Sequence, residues 1–403
     1  MKRKTMRLWP VLLVSIILFV QGCSFEKNLQ YFMQGETREY EPDMPETQEL
    51  ETAEQDSQSE EEPQIREVSE LYYAYHCLDA DKQQIYLEML DSLTDLEQDT
   101  PLSTVDKSVL DLVFACVMND HPEFFYVEGY QYTEYTTNNI VTNITFSGTF
   151  SMTKQEVVQT QVLIEQNLEE CFREVPLNED EYSTVKFLYE WLIDHTEYDK
   201  NAANNQNICS VFLEGRSVCQ GYAKAMQYML QKAQIQCLIV AGFTNGERHG
   251  WNLVRVNDEY YYLDPTWGDA SYTSNNSEDG LDEFVPSINY DYFLVTTDEI
   301  TRTHSIEKVV ELPQCTAVKD NYFVREGLFL EGYDEQQLAQ IFDSDAAREA
   351  GYVTIKCSIE TYAIMVQNLI ESQKIFDFVN KQGTSISYTC NENQQTISFW
   401  DIY

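Results

Sequence analysis

Three side chains in the middle of the chain have the types and spacing of a nucleophile, a base and an orienting acid: Cys219, His249 and Asp264. Cys219 lies in "EGRSVCQGYAKAMQYMLQKAQ". Gly215 interrupts what precedes it, and Ser217 has the side chain of an N-cap. Ala223, Met226, Met229 and Leu230 mark an apolar stripe at helical spacing. The thiol is therefore expected in the first turn of a helix. Free N–H groups and the positive dipole end favour an anion there, and thiols in such places ionise at roughly pH 3.5–7.5. The same N–H groups can hold an oxyanion. Taken alone, that cysteine is equally readable as a small buried hydrophobe.

The second stretch is "GERHGWNLVRVNDEYYYLDPTWGD". A nucleophilic thiol needs an imidazole, and the imidazole needs a carboxylate. His249 opens an alternating run and Asp264 closes the next. Asn257 and Asp258 lie between, and both tolerate the positive φ of a two-residue hairpin turn. With that turn, Val256 pairs with Glu259 and Asp264 stands opposite Trp251. His249 then lies on the same face as Asp264, because side chains alternate with period two. Such diagonal neighbours are about 7–8 Å apart at the backbone, within side-chain reach. A slip of one residue would put them on opposite faces.

Together, "GRSVCQGYAKAM", "HGWNLVRV" and "YYYLDPTWGD" resemble the transglutaminase-like superfamily, as do "CSVFLEG", "FLYEWLIDHTEYD" and "YDYFLVTTDEITRTH" around them. The resemblance spans about residues 180–305 and is similar to that of bacterial surface lipoproteins carrying such a domain. It implies a papain-like core with Cys219 as nucleophile, His249 as base and Asp264 as orienting acid. It implies acyl transfer on a protein or peptide amide, completed by water or by an amine. Gln220, Tyr198, Trp251 and Trp267 are candidate cleft residues, each also readable as packing. His304 is expected to be structural. No cofactor and no metal are expected: the "DADKQQIYLE" stretch lacks the glycine and frame of a calcium loop. A non-catalytic surface binding or scaffold module is the alternative function.

The elements around these residues read as an α+β chain. Residues 1–22 have a basic start and an apolar run too short for a comfortable membrane span. They end in "VQGC", similar to a lipoprotein signal cut before Cys23 and lipidated there; an uncut anchor is the alternative. Residues 23–70 are acidic and poor in apolar side chains, as expected of an extended stalk. Residues 71–178 read as helices and a β-hairpin turning at Thr136–Asn139, followed by a helix capped by Thr153 and Glu156. Residues 179–310 hold the chemistry, and 320–403 read as a small α/β unit with one long helix and a closing hairpin.

The 403 residues carry a net charge of −42, which argues against a nucleic-acid partner because phosphate binding needs clustered Lys and Arg. The expected partners are a protein or peptide substrate, the membrane through the lipid anchor, and cell-wall components. The expected location is extracytoplasmic. Of the ten cysteines, Cys23 is assigned to lipid. The other nine show no CxxC pairing and mostly sit in apolar runs, so a disulfide framework is not expected.

Overall fold

The computed structural model describes residues 68–176, 180–269, 287–379 and 385–402, together with the backbone course of 33–39. The signal segment, Cys23 and most of the expected stalk lie outside these residues. The seven residues of β1 (Met33–Glu39) depart from the stalk expectation. They form a strand that runs parallel to β3 (Val127–Thr137) at the edge of a four-stranded sheet. The rest of that sheet is β4 (Ile140–Phe150) and the short β2 (Thr100–Leu102). The β3–β4 turn falls where the sequence placed it. Asn138 and Asn139 have φ of 52° and 61°, the paired positive values of a tight hairpin.

The central sheet has the order β10-β7-β8-β9 and is antiparallel throughout. Its strands are β7 (Cys237–Thr244), β8 (Glu247–Val256), β9 (Glu259–Leu263) and β10 (His304–Glu307). The β8–β9 register is the one derived from the sequence: Val256 faces Glu259, and Asn257 and Asp258 have φ of 50° and 69°. Trp251 fixes it energetically. Its side chain is fully buried, and removing about 200 Å² of indole from water gives, as an upper figure, roughly 5 kcal/mol. A one-residue slip would forfeit that contribution.

Against this sheet lies the helix Cys219–Lys232, whose buried face includes Ala223, Met226, Met229 and Leu230. Side chains from neighbouring elements grip its backbone and flanks. Asn252 on β8 donates to the Ala223 carbonyl at 2.9 Å, and Tyr222 donates to Thr196 O and Asp269 Oδ2 at 2.8 and 2.6 Å. The N-terminal region adds a second set of contacts. Gln227 and Gln231 donate to the carbonyls of Asn119 and Asp120 at the end of helix Leu110–Asp120. Helix Lys154–Glu174, which starts on the expected Thr153–Glu156 capping box, reaches it through a Lys232–Glu165 ion pair at 2.6 Å. One continuous hydrophobic cluster runs from Ala74 to Cys315, so the N-terminal helices and hairpin share their core with the central sheet.

A second cluster, Leu330 to Ile402, fills the C-terminal unit. There β12 (Tyr352–Cys357), β13 (Ser387–Asn391), β14 (Thr396–Trp400) and the short β11 (Phe329–Leu330) form a sheet. The single long helix expected near 360–382 is instead a helix Ile359–Met365, a π turn Val366–Glu371 and a 3-10 turn Lys374–Asp377. Gln373, with φ of 56°, sits at the break. This unit docks on the segment leading to β10: Lys356 meets Glu299 at 2.8 Å, and Asn391 donates to Asp291 at 2.7 Å. Both contacts are largely shielded from water, so they hold that segment more firmly than surface pairs would.

Candidate active site

Cys219 is the first residue of its helix, as expected, but the cap differs from the sequence reading. The N-cap is Val218, and no side chain accepts from the first-turn N–H groups. The Ser217 hydroxyl points away, 2.7 Å from Ser210 Oγ and 3.1 Å from Asn205 O. Most other helices here start on an Asp, Asn, Ser or Thr that satisfies the first turn, as Asp79, Asp180 and Asn207 do. The cysteine helix leaves its N-terminal N–H groups beside the thiol free of a capping oxygen, which suits an incoming anion. Gly221 makes this arrangement possible. A Cβ there would stand 1.9 Å from Ser217 Oγ and 3.1 Å from Asn205 O.

His249 lies on β8 and Asp264 just beyond β9, where it caps the turn Pro265–Gly268. His249 Nε2–H donates to Asp264 Oδ2 at 2.7 Å. With Nε2–H on Asp264, Nδ1–H is the donor left to face the Cys219 sulfur, whose proximity favours the charged ring. Cys219, His249 and Asp264 are all buried, and Asp264 is fully so.

Four donors converge on the Asp264 carboxylate. Oδ1 accepts from the backbone N–H of Thr266 and Trp267 at 2.9 and 3.1 Å. Oδ2 accepts from His249 and, at 3.1 Å, from His304 Nε2–H. The sequence reading left His304 as structural and missed this contact. Thr303 Oγ1 lies 2.8 Å from His304 Nδ1, which fits a neutral ring protonated on Nε2. Trp251, Trp267 and Tyr292 surround the His304 ring at centroid distances of 4.8, 4.8 and 5.4 Å.

The electrostatics follow from burial and these contacts. Burial opposes charge on His249, but the Asp264 charge, its hydrogen bond and the Cys219 contact outweigh it and raise the imidazolium to about 10. Burial likewise opposes charge on Asp264. The two histidines, His249 foremost, overcome it and hold the carboxyl well below the usual range. For His304, burial wins over the Asp264 contact and lowers the imidazolium below its ordinary value. At neutral pH the site therefore contains a charged His249–Asp264 pair with a neutral second histidine behind it.

His249, Asp264 and His304 place one ligand-capable atom each within 4.8 Å of one another. The 2.7 Å contact, however, is a hydrogen bond. Two ligands held about 2.0–2.1 Å from a tetrahedral zinc stand roughly 3.3 Å apart, so the cluster would have to open to admit one.

The remaining candidates divide. Trp251 is fully buried, its ring stacked 5.9 Å from His249. Tyr198 is also packed, 6.5 Å from Tyr222 in ring separation. Trp267 is partly exposed, with its ring 6.1 Å from His249. Gln220 lines a pocket beside the nucleophile. Asp79 caps helix Ala80–Asp95, the helix-starting role expected of it. The nine cysteines other than Cys23 are unbridged, with Cys77 and Cys390 exposed. Cys23 lies outside the described residues.

Comparison with known proteins fits this geometry. Residues 173–265 match the family model described as the transglutaminase-like superfamily. The Kyphoscoliosis peptidase of Mus musculus is 25% identical over 160 residues, covering 35% of this chain and 23% of the relative. The Homo sapiens protein of that name is 25% identical over 134 residues, 28% of this chain and 20% of the relative. The chain thus spans under a quarter of either relative's length. A solved structure described as a TGase aligns at 13% identity with a TM-score of 0.26, over 39% of this chain and 55% of that one. The matched residues 173–265 contain Cys219, His249 and Asp264 and are similar to the transglutaminase-like superfamily, within an α+β chain.

Proposed function

We propose that this protein is a thiol enzyme that transfers acyl groups from protein or peptide amides, with water as the usual acceptor. The observation that carries the reading is the 2.7 Å hydrogen bond between His249 and Asp264 beside a cysteine that opens its helix without a side-chain cap. The Cys219 sulfur, its thiol proton already on His249 Nδ1, attacks the amide carbonyl carbon, and the carbonyl π pair moves onto oxygen. The uncapped N–H groups of the first helical turn receive that oxyanion. As the intermediate collapses, the C–N bond breaks and the departing amine takes the proton from His249 Nδ1. Asp264 keeps hold of Nε2 throughout, so the ring stays oriented for both proton transfers. A thioester on Cys219 remains. His249 then removes a proton from water, whose oxygen displaces sulfur and releases the acid. An amine attacking instead of water would give a cross-link by the same steps.

Hydrolysis is preferred because water needs no ordered second site. The N-terminal sequence supports export and anchoring through a lipid on Cys23, with the substrate a surface or cell-wall-associated protein or peptide. Among the described residues no helix is long and apolar enough to cross a membrane.

The test compares wild type with Cys219→Ala, each incubated with a mixture of proteins and a tagged primary amine and read by mass spectrometry. Cysteine-dependent new termini or deamidation support the hydrolase. Cysteine-dependent incorporation of the tag turns the reading to cross-linking. Identical products from both proteins would reject the enzyme in favour of a scaffold.

A further inference from the structure

Beside the nucleophile lies a pocket of roughly 70 Å³ that the acyl-transfer steps do not use. Gln220 and Lys224 line one side, one turn apart on the same helix face. The strand β7 forms another side through Leu238–Ala241, and Met118 and Asn119 a third. The pocket adjoins chain neighbours of the reacting residues by two routes. Gln220 directly follows Cys219. Ala241 pairs with Gly250, which directly follows His249. The two routes meet, because Gln220 Oε1 lies 3.3 Å from where a Cβ on Gly250 would stand.

The polar groups of this pocket are incomplete. Gln220 Oε1 is buried with no hydrogen-bond partner among the described residues. Lys224 is partly buried, and burial alone acts on its ammonium, pulling it down to about 8 with no nearby charge to offset the effect. The pocket's acid, Glu307, is already neutralised by Arg248 at 2.5 Å. Among the described residues no carboxylate pairs with Lys224, and in a chain of net charge −42 such a cation in a largely apolar recess is out of keeping with the rest of the surface. The apolar walls would strengthen its attraction for an anion.

We propose that this pocket is a substrate subsite for an acidic side chain flanking the amide that Cys219 attacks, with Lys224 Nζ as counter-charge and Gln220 Oε1 accepting from a backbone N–H of the substrate. The assignment rests on the thiol-enzyme reading and adds to it the substrate's character: an acyl donor carrying Asp or Glu near the scissile bond. Apolar and basic donors would leave Lys224 desolvated and unpaired, a cost the acidic donor removes.

The experiment uses the full chain and three alkylating probes, in each of which the Cys219 sulfur displaces bromide to form a thioether. They are N-bromoacetyl-glutamate α-amide, N-bromoacetyl-glutamine α-amide and N-bromoacetyl-glutamine with a free α-carboxylate. Rates of Cys219 alkylation are read by mass spectrometry for wild type, Lys224→Met and Lys224→Glu. Each rate is divided by the same protein's rate with iodoacetamide, and circular dichroism checks the fold. The expected result is an advantage of about tenfold for the glutamate probe over its neutral twin in wild type, the size of one charge-assisted contact. That advantage falls as pH rises above about 8, as an ammonium of that pKa requires. It disappears in Lys224→Met and inverts in Lys224→Glu. An equal ratio in all three proteins overturns the proposal. A preference for the free α-carboxylate over the side-chain acid overturns the side-chain assignment. If iodoacetamide labels Cys219 no faster than the exposed Cys77 and Cys390, the underlying thiol-enzyme reading fails instead, and visibly so.

Discussion

Asp264→Asn is the substitution that most sharply separates the proposed charge arrangement from mere packing. Asparagine keeps the shape but offers one acceptor oxygen where aspartate offers two. In the wild type, four N–H donors share those oxygens. An asparagine NH₂ must therefore face either the two histidines or the two backbone N–H groups, donor against donor. The charge effect is larger still. His249 is raised to about 10 with Asp264 beside it, and without that carboxylate it returns to about 6.5 or lower. At pH 9 the imidazolium fraction then falls from about 0.9 to about 0.003, roughly 300-fold. That change corresponds to at most roughly 5 kcal/mol of interaction between the two charges. The chain has only five histidines, so ¹³Cε1 labelling with a His249→Gln control assigns the resonance. The His249 signal is expected to stay in its charged form from pH 5 to 8 in wild type and to titrate within or below that range in Asp264→Asn. A wild-type midpoint near 6.5 would refute the reasoning.

Three further outcomes follow from the same site. A folded-state pKa raised above the unfolded value stabilises the protein fully below the unfolded pKa and loses effect as pH climbs through the folded one. The drop in melting temperature caused by Asp264→Asn should therefore be largest near pH 6 and shrink steadily towards pH 10, as followed by calorimetry. His304→Gln, which keeps a terminal N–H near Asp264 Oδ2, should retain most of the acyl-transfer rate. His304→Ala, which leaves the Asp264 charge with one donor fewer, should lower that rate and move its basic limb to higher pH, and pH–rate profiles distinguish the two. Gly221→Ala should destabilise by about 1–3 kcal/mol in urea titrations through its clash with Ser217 Oγ. An exposed helical glycine would instead gain up to about 1 kcal/mol. Adding Ser217→Ala should recover part of the loss.

The central hairpin could be read from sequence because its turn is two residues long and both favour positive φ. One turn type fixed the register, and the register fixed His249 diagonal to Asp264 on the same face. The helix start was legible to within one residue. Ser217 has a capping side chain, yet tertiary packing turns its hydroxyl inward to Ser210, and local preference cannot foresee that. His304 was the costliest omission. It reaches Asp264 from β10, a strand next to β7 and not to β8 or β9, so neither hairpin register nor helical period connects them. A trace of it was present: the Thr296–Glu299 capping box starts a short helix, Thr297–Ile300, that ends shortly before His304, so "TTDEITRTH" delivers a histidine onto a strand. Trp251 and Tyr198 were placed at a cleft on residue type alone, and their burial depends on contacts with Asp264's neighbours and with Tyr222. The break near Gln373 carries no proline or glycine, and the pairing of 33–39 with β3 joins residues nearly a hundred apart in a segment whose composition favours disorder.

The most direct test of the thiol–imidazole–carboxylate account needs no substrate. Native wild-type protein is treated with limiting iodoacetamide at pH 6, and the modified cysteines are counted by peptide mass spectrometry. The account expects Cys219 to react first despite its burial, ahead of the exposed Cys77 and Cys390, whose thiols burial shifts upward. It also expects that lead to vanish in His249→Gln. If Cys77 and Cys390 react while Cys219 stays unmodified, Cys219 is a packing residue and the account is wrong.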